Sequence, residues 1–166
     1  MIKNIGIIGG TGNMGSCFKN AFESIGLNVQ VSDINSKDKE DHIIENSDWI
    51  ILTVPISETL KVFKNIKNKI KEDQIFSDFT SVKSILANDI GNSNFEFISC
   101  HPLFGPLNNL KGQNIVTIPI VSKEKHPLII EVFEKIGLKI TELKSFKEHD
   151  EYMSLIQGMT HFSHVC

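Results

Sequence analysis

The sequence predicts an α/β protein in which a mostly parallel sheet carries helices on both faces. Short β-type runs alternate with amphipathic stretches along the chain, and several of these runs are almost entirely apolar. Such alternation is typical of parallel sheets with helical crossovers, and continuous apolar runs are typical of strands buried on both faces. The length of 166 residues fits one ordinary domain with a sizeable core.

Seven runs are predicted as strands because they are short and rich in apolar residues, and because turn or helix signals follow most of them. They are residues 2–8, 28–33, 49–54, 74–78, 95–100, 115–119 and 138–142. Several of these strands should therefore lie in the centre of the sheet.

Three stretches are predicted as helices from apolar residues at helical spacing. The first lies between the first two strands and ends at Gly26, where a left-handed residue is expected. The second spans residues 57–71, with Ser57 as its N-cap and Pro55 before it. The last spans residues 146–166 and has a wide apolar stripe, which needs a partner surface.

Composition excludes several function classes. The net charge of -3 gives no basic field for nucleic acid, so no nucleic-acid partner is expected. The longest apolar runs have strand length, so neither a membrane span nor membrane association is expected, and no signal peptide is evident at the start. Three cysteines without metal-type spacing favour reduced thiols in a cytoplasmic protein and indicate no metal site. Every basic residue is Lys, since the sequence contains no Arg.

A glycine motif indicates a dinucleotide site. Gly10-x-Gly12-x-x-Gly15 follows a predicted strand and opens a predicted helix, as in the phosphate-binding turn of Rossmann-type domains. Its glycines allow a tight turn, a close approach of pyrophosphate and close packing of helix on strand, and the helix N-terminus supplies free N–H groups. Alone, the motif could be a turn that needs only backbone freedom. Asp33, 18 positions after Gly15, adds the carboxylate expected for the adenosine ribose.

The expected cofactor is NAD, because a carboxylate at position 33 would repel the 2′-phosphate of NADP and no Arg is present to attract it. Lys37 keeps NADP open as an alternative. The predicted cofactor-binding residues are Gly10, Thr11, Gly12, Asn13, Met14, Gly15, Asp33, Val54 and Pro55.

Two further motifs follow predicted strands, at the sheet edge where ligands bind in this architecture. They are Asp78-Phe79-Thr80-Ser81-Val82-Lys83 and His101-Pro102-Leu103-Phe104-Gly105-Pro106. Each also has a purely structural interpretation. His101 could be a turn residue bonded to a carbonyl, and Thr80 or Ser81 could cap a helix beginning near Val82.

Together with the segment from Gly9 to Gly15, these motifs resemble the prephenate and arogenate dehydrogenase family, especially the form fused to chorismate mutase in enteric bacteria. The resemblance extends to His149-Asp150 and Gln157, which match the helix that leads out of the family's nucleotide domain. It implies NAD-dependent oxidative decarboxylation of prephenate to 4-hydroxyphenylpyruvate in tyrosine biosynthesis, with arogenate as the alternative substrate. It also implies that His101 accepts a hydrogen bond from the ring 4-hydroxyl and that Ser81 holds the imidazole.

The expected organisation is an NAD-binding Rossmann domain at residues 1–145 and a helix at 146–166. That helix would begin a missing or minimal helical dimerisation domain, so a homodimer through the C-terminal helices is expected. His149, Gln157 and His161 are expected to be solvated or to pack between domains. Family members anchor a substrate carboxylate with an arginine that this chain lacks, so a non-catalytic dinucleotide-binding or regulatory module stays open as a second hypothesis.

Overall fold

The computed structural model describes residues 1–33, 37–91, 93–122 and 124–163, without the side chains of 37, 38, 84 and 157–163. The strands are β1 Asn4–Ile8, β2 Asn28–Ser32, β3 Trp49–Leu52, β4 Ile75–Asp78, β5 Glu96–Pro102, β6 Asn114–Val121 and β7 Lys139–Glu142. The helices are α1 Asn13–Ser24, α2 Lys37–Glu45, α3 Ile56–Ile66, α4 Ser84–Ile90, α5 His126–Ile136 and α6 Phe146–Ser163, with a 3-10 turn at Lys67–Lys69.

All seven predicted strands are present and form one sheet in the order β2-β1-β3-β4-β5-β6-β7. Neighbouring strands are parallel except β5 and β6, which are antiparallel with a register shift between Phe97 and Ile98. The predicted α/β class with a mostly parallel sheet is thus confirmed. The chain reverses its direction of travel at β1, which lies between β2 and β3. A crevice therefore opens beyond the carboxyl end of β1, as expected at such a switch point.

Aromatic side chains fill the core on both faces of the sheet. On one face, Phe18 of α1 and Phe133 of α5 pack with Trp49 of β3. The indole N–H of Trp49 donates to Oγ of Ser77 at 3.0 Å. On the other face, Phe63 of α3 packs among a second buried cluster. Burying each such side chain stabilises the fold by ~1.5–3 kcal/mol, so helices cover both faces as predicted.

Two predicted helix boundaries are wrong. Helix α3 begins at Ile56 after Pro55, which has no side chain able to accept a bond. Ser57 is therefore inside the first turn and is not the N-cap. The carbonyl oxygen of Pro55 already accepts the backbone N–H of Glu58 at 2.9 Å, so the helix starts one residue earlier than predicted. It also ends earlier, since the 3-10 turn follows Ile66.

The start of α4 is also later than predicted. Lys83 is its N-cap residue and makes no side-chain capping bond. Neither Thr80 nor Ser81 is the N-cap residue, and the hydroxyl of Thr80 donates to the carboxylate of Asp78. The capping interpretation of Thr80 and Ser81 is therefore wrong. At the end of α1, by contrast, Gly26 has a φ of +84° as predicted.

The start of α6 is fixed by a pair of reciprocal bonds. Oγ of Ser145 accepts the backbone N–H of Glu148 at 3.1 Å. Oε2 of Glu148 accepts the backbone N–H of Lys144 at 2.6 Å. This arrangement is a variant of the capping box, and it sets the orientation of His149 in the first turn.

In the part of the chain that is described, no helix combines the length and apolar character that crossing a membrane requires.

Candidate active site

The turn between β1 and α1 has room only for glycine. Gly9 has a φ of +84°, which side chains rarely adopt. A Cβ at Gly10 would lie 2.5 Å from Cγ1 of Val31, and one at Gly15 would lie 2.6 Å from Cα of Gly10. The missing side chains of these glycines therefore allow β1, β2 and α1 to pack closely against one another. The first N–H groups of α1 remain available at the mouth of the crevice.

Six of the nine predicted cofactor residues line one groove of about 450 Å³ at this turn, whereas Gly10, Met14 and Gly15 do not. Asp33 is exposed at the end of β2, and Thr11 Oγ1 donates to its Oδ1 at 2.5 Å. The lining residues are Gly9, Thr11, Gly12, Asn13, Asp33, Thr53, Val54 and Pro55. A carboxylate beside glycine backbone and a helix N-terminus is the donor and acceptor set that a dinucleotide requires. These residues therefore fit that cofactor.

A second cavity of about 410 Å³ continues from the first. The two share Thr53, Val54 and Pro55 in their linings. The remaining lining residues are Met14, Ile56, Phe79, Thr80, Ser81, His101 and Pro102. The structure thus brings the two sequence motifs of β4 and β5 to the end of the nucleotide groove. The volume of this second cavity lies in the range of small-molecule sites.

His101 lies in β5 and is only 8% exposed. Its Nδ1 lies 2.9 Å from Nε2 of His149, whereas Nε2 has no hydrogen-bond partner among the described residues. Burial, then the positive charge of Lys83 and the neighbouring His149, lower the pKa of His101 from 6.5 to about 4. The imidazole is therefore neutral at physiological pH, with a nitrogen that can take a proton.

A buried ion pair lies next to this histidine. Lys83 Nζ donates to Oδ2 of Asp78 at 3.0 Å and to the carbonyl oxygen of Cys100 at 2.6 Å. Ser99 Oγ donates to Oδ1 of the same carboxylate at 2.5 Å. The lysine side chain has no exposed surface. Each polar atom of the pair has a protein partner, as buried charges require.

The cysteine preceding His101 has no catalytic character. Burial raises the pKa of the Cys100 thiol to about 12. The thiolate that nucleophilic chemistry requires is therefore absent at neutral pH.

The partner of His101 differs from the one expected. Ser81 lines the same cavity and is exposed, but no hydrogen bond joins it to His101 in the described structure. The ring is instead bonded to His149, which is 1% exposed. His149 is therefore not solvated; it packs between α6 and the sheet, in agreement with the second of the two expected positions. The side chains of Lys37, Gln157 and His161 lie outside the described residues.

The sequence carries a signal for the position of His149. The pattern Ser145-x-x-Glu148 predicts a helix start, and His149-Asp150 follows it directly. Nδ1 of His149 lies 3.1 Å from Oδ1 of Asp150. A titratable pair in the first turn of a helix packed on the sheet edge is a reasonable site candidate.

Comparisons with known proteins identify relatives of this chain. The chain is 29% identical over 164 residues to the T-protein of Haemophilus influenzae, covering 98% of this chain and 43% of that protein. It is also 29% identical to the "Probable arogenate/prephenate dehydrogenase" of Methanocaldococcus jannaschii, over 97% of this chain and 41% of that one. The chain thus spans less than half the length of these relatives.

One solved structure has the same fold, that of prephenate dehydrogenase from Aquifex aeolicus in complex with hydroxyphenyl propionate and NAD+. The TM-score is 0.73 at 20% identity, covering 97% of this chain and 70% of that one. The model of the family described as "Prephenate dehydrogenase, nucleotide-binding domain" matches residues 19–142. That match covers well over half of the 166 residues, and the chain therefore belongs to the prephenate dehydrogenase nucleotide-binding domain family.

Proposed function

We propose that this chain is the NAD-binding, catalytic part of a prephenate dehydrogenase, which oxidatively decarboxylates prephenate to 4-hydroxyphenylpyruvate. One observation carries the proposal. A neutral imidazole, that of His101, lines a cavity that continues directly from the glycine-turn groove. A substrate hydroxyl there would meet a proton acceptor beside the end of the cofactor site.

The groove residues would hold NAD along its length. The N–H groups at the start of α1 would bind the pyrophosphate, and Asp33 would accept bonds from the adenosine ribose. Val54 and Pro55 line both cavities and would contact the nicotinamide end. Bound NAD supplies the hydride acceptor. Because the carboxylate of Asp33 repels a 2′-phosphate, NAD is preferred over NADP.

His101 would act on the ring 4-hydroxyl of the substrate. As the C4–H bond breaks with loss of hydride, Nε2 takes the hydroxyl proton and the C4–O bond becomes a carbonyl. The C1–carboxylate bond then breaks, carbon dioxide leaves, and its electron pair makes the ring aromatic. The proton returns from Nε2 to the ring oxygen, so the base is regenerated. The step requires a neutral imidazole, in agreement with the lowered pKa of His101.

The first experiment measures NADH formation from prephenate by the full-length protein and by its His101→Asn variant. Acid–base assistance of this kind is worth ~10²–10⁴-fold in rate, so a loss of that size is expected. NAD affinity, measured by calorimetry, should stay within about twofold, because the groove is intact. Equal rates for the two proteins would remove His101 from the mechanism.

Arogenate is the second candidate substrate, because the Methanocaldococcus jannaschii relative carries both substrates in its name. Arogenate differs from prephenate by an amine in place of the side-chain keto group. Comparing kcat/KM for the two compounds decides between them, and a higher value for arogenate would overturn the prephenate assignment.

A non-catalytic nucleotide-binding module remains the competing function, because the sequence has no Arg to clamp a carboxylate. Calorimetry with NAD followed by prephenate distinguishes the two. Tight NAD binding with no binding of prephenate or arogenate to the full-length protein would favour the module.

We also propose that α6 belongs to a helical domain that pairs two copies of the chain. Leu155 on this helix is 67% exposed, and the chain spans only 43% of the Haemophilus influenzae relative. The side chain of Leu155 would lie in the interface of such a pair. Light scattering of the full-length protein should give twice the chain mass, and a monomer would refute the proposal.

A further inference from the structure

We infer that His149 and Asp150 together fix the tautomer of His101, and that His149 is a positioning residue for the reaction. The inference rests on the proposed function for its catalytic consequence. It rests on three bonded groups for its geometry: the rings of His101 and His149, 2.9 Å apart through Nδ1 and Nε2, and the carboxylate of Asp150, 3.1 Å from the far nitrogen of His149.

The direction of these bonds follows from the carboxylate. An ionised carboxylate can only accept hydrogen bonds, so Nδ1 of His149 carries the proton and donates to Asp150. A neutral His149 then has an unprotonated Nε2, which accepts from His101. Nδ1 of His101 therefore carries the proton, and its Nε2 is left as an acceptor. This is the nitrogen that has no partner among the described residues and that the proposed base reaction uses.

The opposite direction is unfavourable. If Nε2 of a neutral His149 donated to His101, Nδ1 of His149 would be an unprotonated acceptor facing the acceptor oxygen of Asp150. A doubly protonated His149 would avoid that repulsion but would leave the proton of a neutral His101 on Nε2, which the NMR test below detects directly. The other charged groups that act on His101 are Lys83 and Asp78, and these two are paired with each other.

The arrangement also helps when His101 takes the substrate proton. The transient imidazolium donates from Nδ1 to a neutral acceptor that is itself bonded to a carboxylate. The positive charge is thus stabilised without movement of any group, as preorganised sites do. Asp150 is 66% exposed in its side chain, so solvent screens its charge. The orientation of His149 therefore contributes more than the carboxylate charge.

The first test is imidazole ¹⁵N NMR of the unliganded full-length protein at neutral pH. His101 should show a protonated Nδ1 and an unprotonated Nε2. In His149→Phe, which fills the space without an acceptor, the two tautomers should mix. In His149→Gln, whose side-chain oxygen can accept in the place of Nε2, the native tautomer should persist. A protonated Nε2 on His101 in the wild type would overturn the inference.

The second test compares kcat/KM for the same variants. His149→Gln should lose less than about tenfold, and His149→Phe should lose on the order of 10²-fold or more, within the range of acid–base assistance. A role in packing alone predicts the reverse order, because Phe fills an apolar site better than Gln. That reversed order would refute the inference.

The exposed carboxylate provides a variant that should fold normally. Asp150→Asn keeps an acceptor oxygen for His149 and should lose roughly three- to tenfold in kcat/KM, since the charge is screened. Its matched control is Glu151→Gln, an exposed neighbour paired with Lys147, which should change kcat/KM by less than about twofold. Equal effects of the two variants would count against the inference. If the wild type oxidises neither substrate, the proposed function fails, while the NMR result still decides the tautomer.

Discussion

The ammonium group of Lys83 lies 2.6 Å from the carbonyl oxygen of Cys100, so a buried cation is bonded to the residue just before His101. The same group neutralises Asp78, whose carboxylate is bonded to the adjoining loop and to β5. Lys83 therefore helps to place His101 and, after burial, is the next cause of the low pKa of that histidine.

Replacing this lysine should be severely destabilising. Lys83→Met leaves Asp78 charged, buried and unpaired, which costs about 3–5 kcal/mol in the free energy of unfolding. Urea denaturation measures the loss. The control is Lys64→Met, whose ammonium is 3.6 Å from Asp89 and half exposed, and which should cost less than about 1 kcal/mol. Adding Asp78→Asn to Lys83→Met should recover part of the stability. Equal losses for the two lysines would contradict this account.

The ionisation of His101 should appear in the pH dependence of stability. Its pKa is about 4 in the folded protein, against 6.5 for an ordinary histidine. Between these values the unfolded chain binds more protons, so the free energy of unfolding decreases as the pH falls from about 6.5 towards 4. His101→Asn should reduce that slope. NMR titration of His101 should place its midpoint well below 6, and a midpoint near 6.5 would contradict the prediction.

Gly15→Ala should weaken both folding and NAD binding. The new Cβ would lie 2.6 Å from Cα of Gly10 and from the carbonyl oxygen of Gly9. Backbone atoms cannot yield locally, so overpacking should cost about 1–3 kcal/mol and should widen the turn that holds the pyrophosphate. Gly91→Ala is the control, since its Cβ would meet nothing within 4 Å. Thermal unfolding and calorimetry with NAD provide the measurements, and a Gly15→Ala protein with wild-type affinity would refute the role of the turn.

Asp33→Asn should reduce discrimination between the two nicotinamide dinucleotides. Hydrogen bonds to a charged group contribute about 1.5–3 kcal/mol, so NAD affinity should fall by roughly 10- to 100-fold. NADP affinity should fall less or rise, because a repulsive charge is removed. Calorimetry with both cofactors measures the ratio, with exposed Glu72→Gln as the control. An unchanged ratio would exclude Asp33 from the ribose site.

Ser81→Ala should leave the tautomer of His101 intact. Ser81 lies at the cavity without a bond to the ring in the described structure, so any effect should come from lost contact with the substrate. We expect a rise in KM with little change in the imidazole ¹⁵N spectrum. A change in that spectrum comparable to that of His149→Phe would restore Ser81 as the residue that orients His101.

The sheet and the glycine turn could be predicted because both depend on local patterns. Apolar runs marked the strands, and Gly10, Gly12 and Gly15 marked the turn. The reversed direction of β6 was not predicted, since periodicity does not encode strand direction. A signal existed, however: residues 103–113 contain Gly, Pro and Asn but no amphipathic helix, and parallel neighbours usually require one.

The site was predicted less completely because its contacts are distant in sequence. His101 and Ser81 could be placed at the sheet edge from their strands. The bond between His101 and His149 joins residues 48 apart, and no local pattern specifies that contact. The bounds of α2 also escaped prediction, since Lys37–Glu45 has only two adjacent isoleucines among polar residues.

The only tryptophan of the 166 residues, Trp49, is fully buried, and its indole N–H is held by Ser77 on the next strand. Its fluorescence therefore originates from the centre of the molecule and has no competing emitter of the same kind. A red shift on adding urea would record the separation of β3 from β4, so unfolding of variants of this 166-residue chain can be followed with the native chromophore and without labelling.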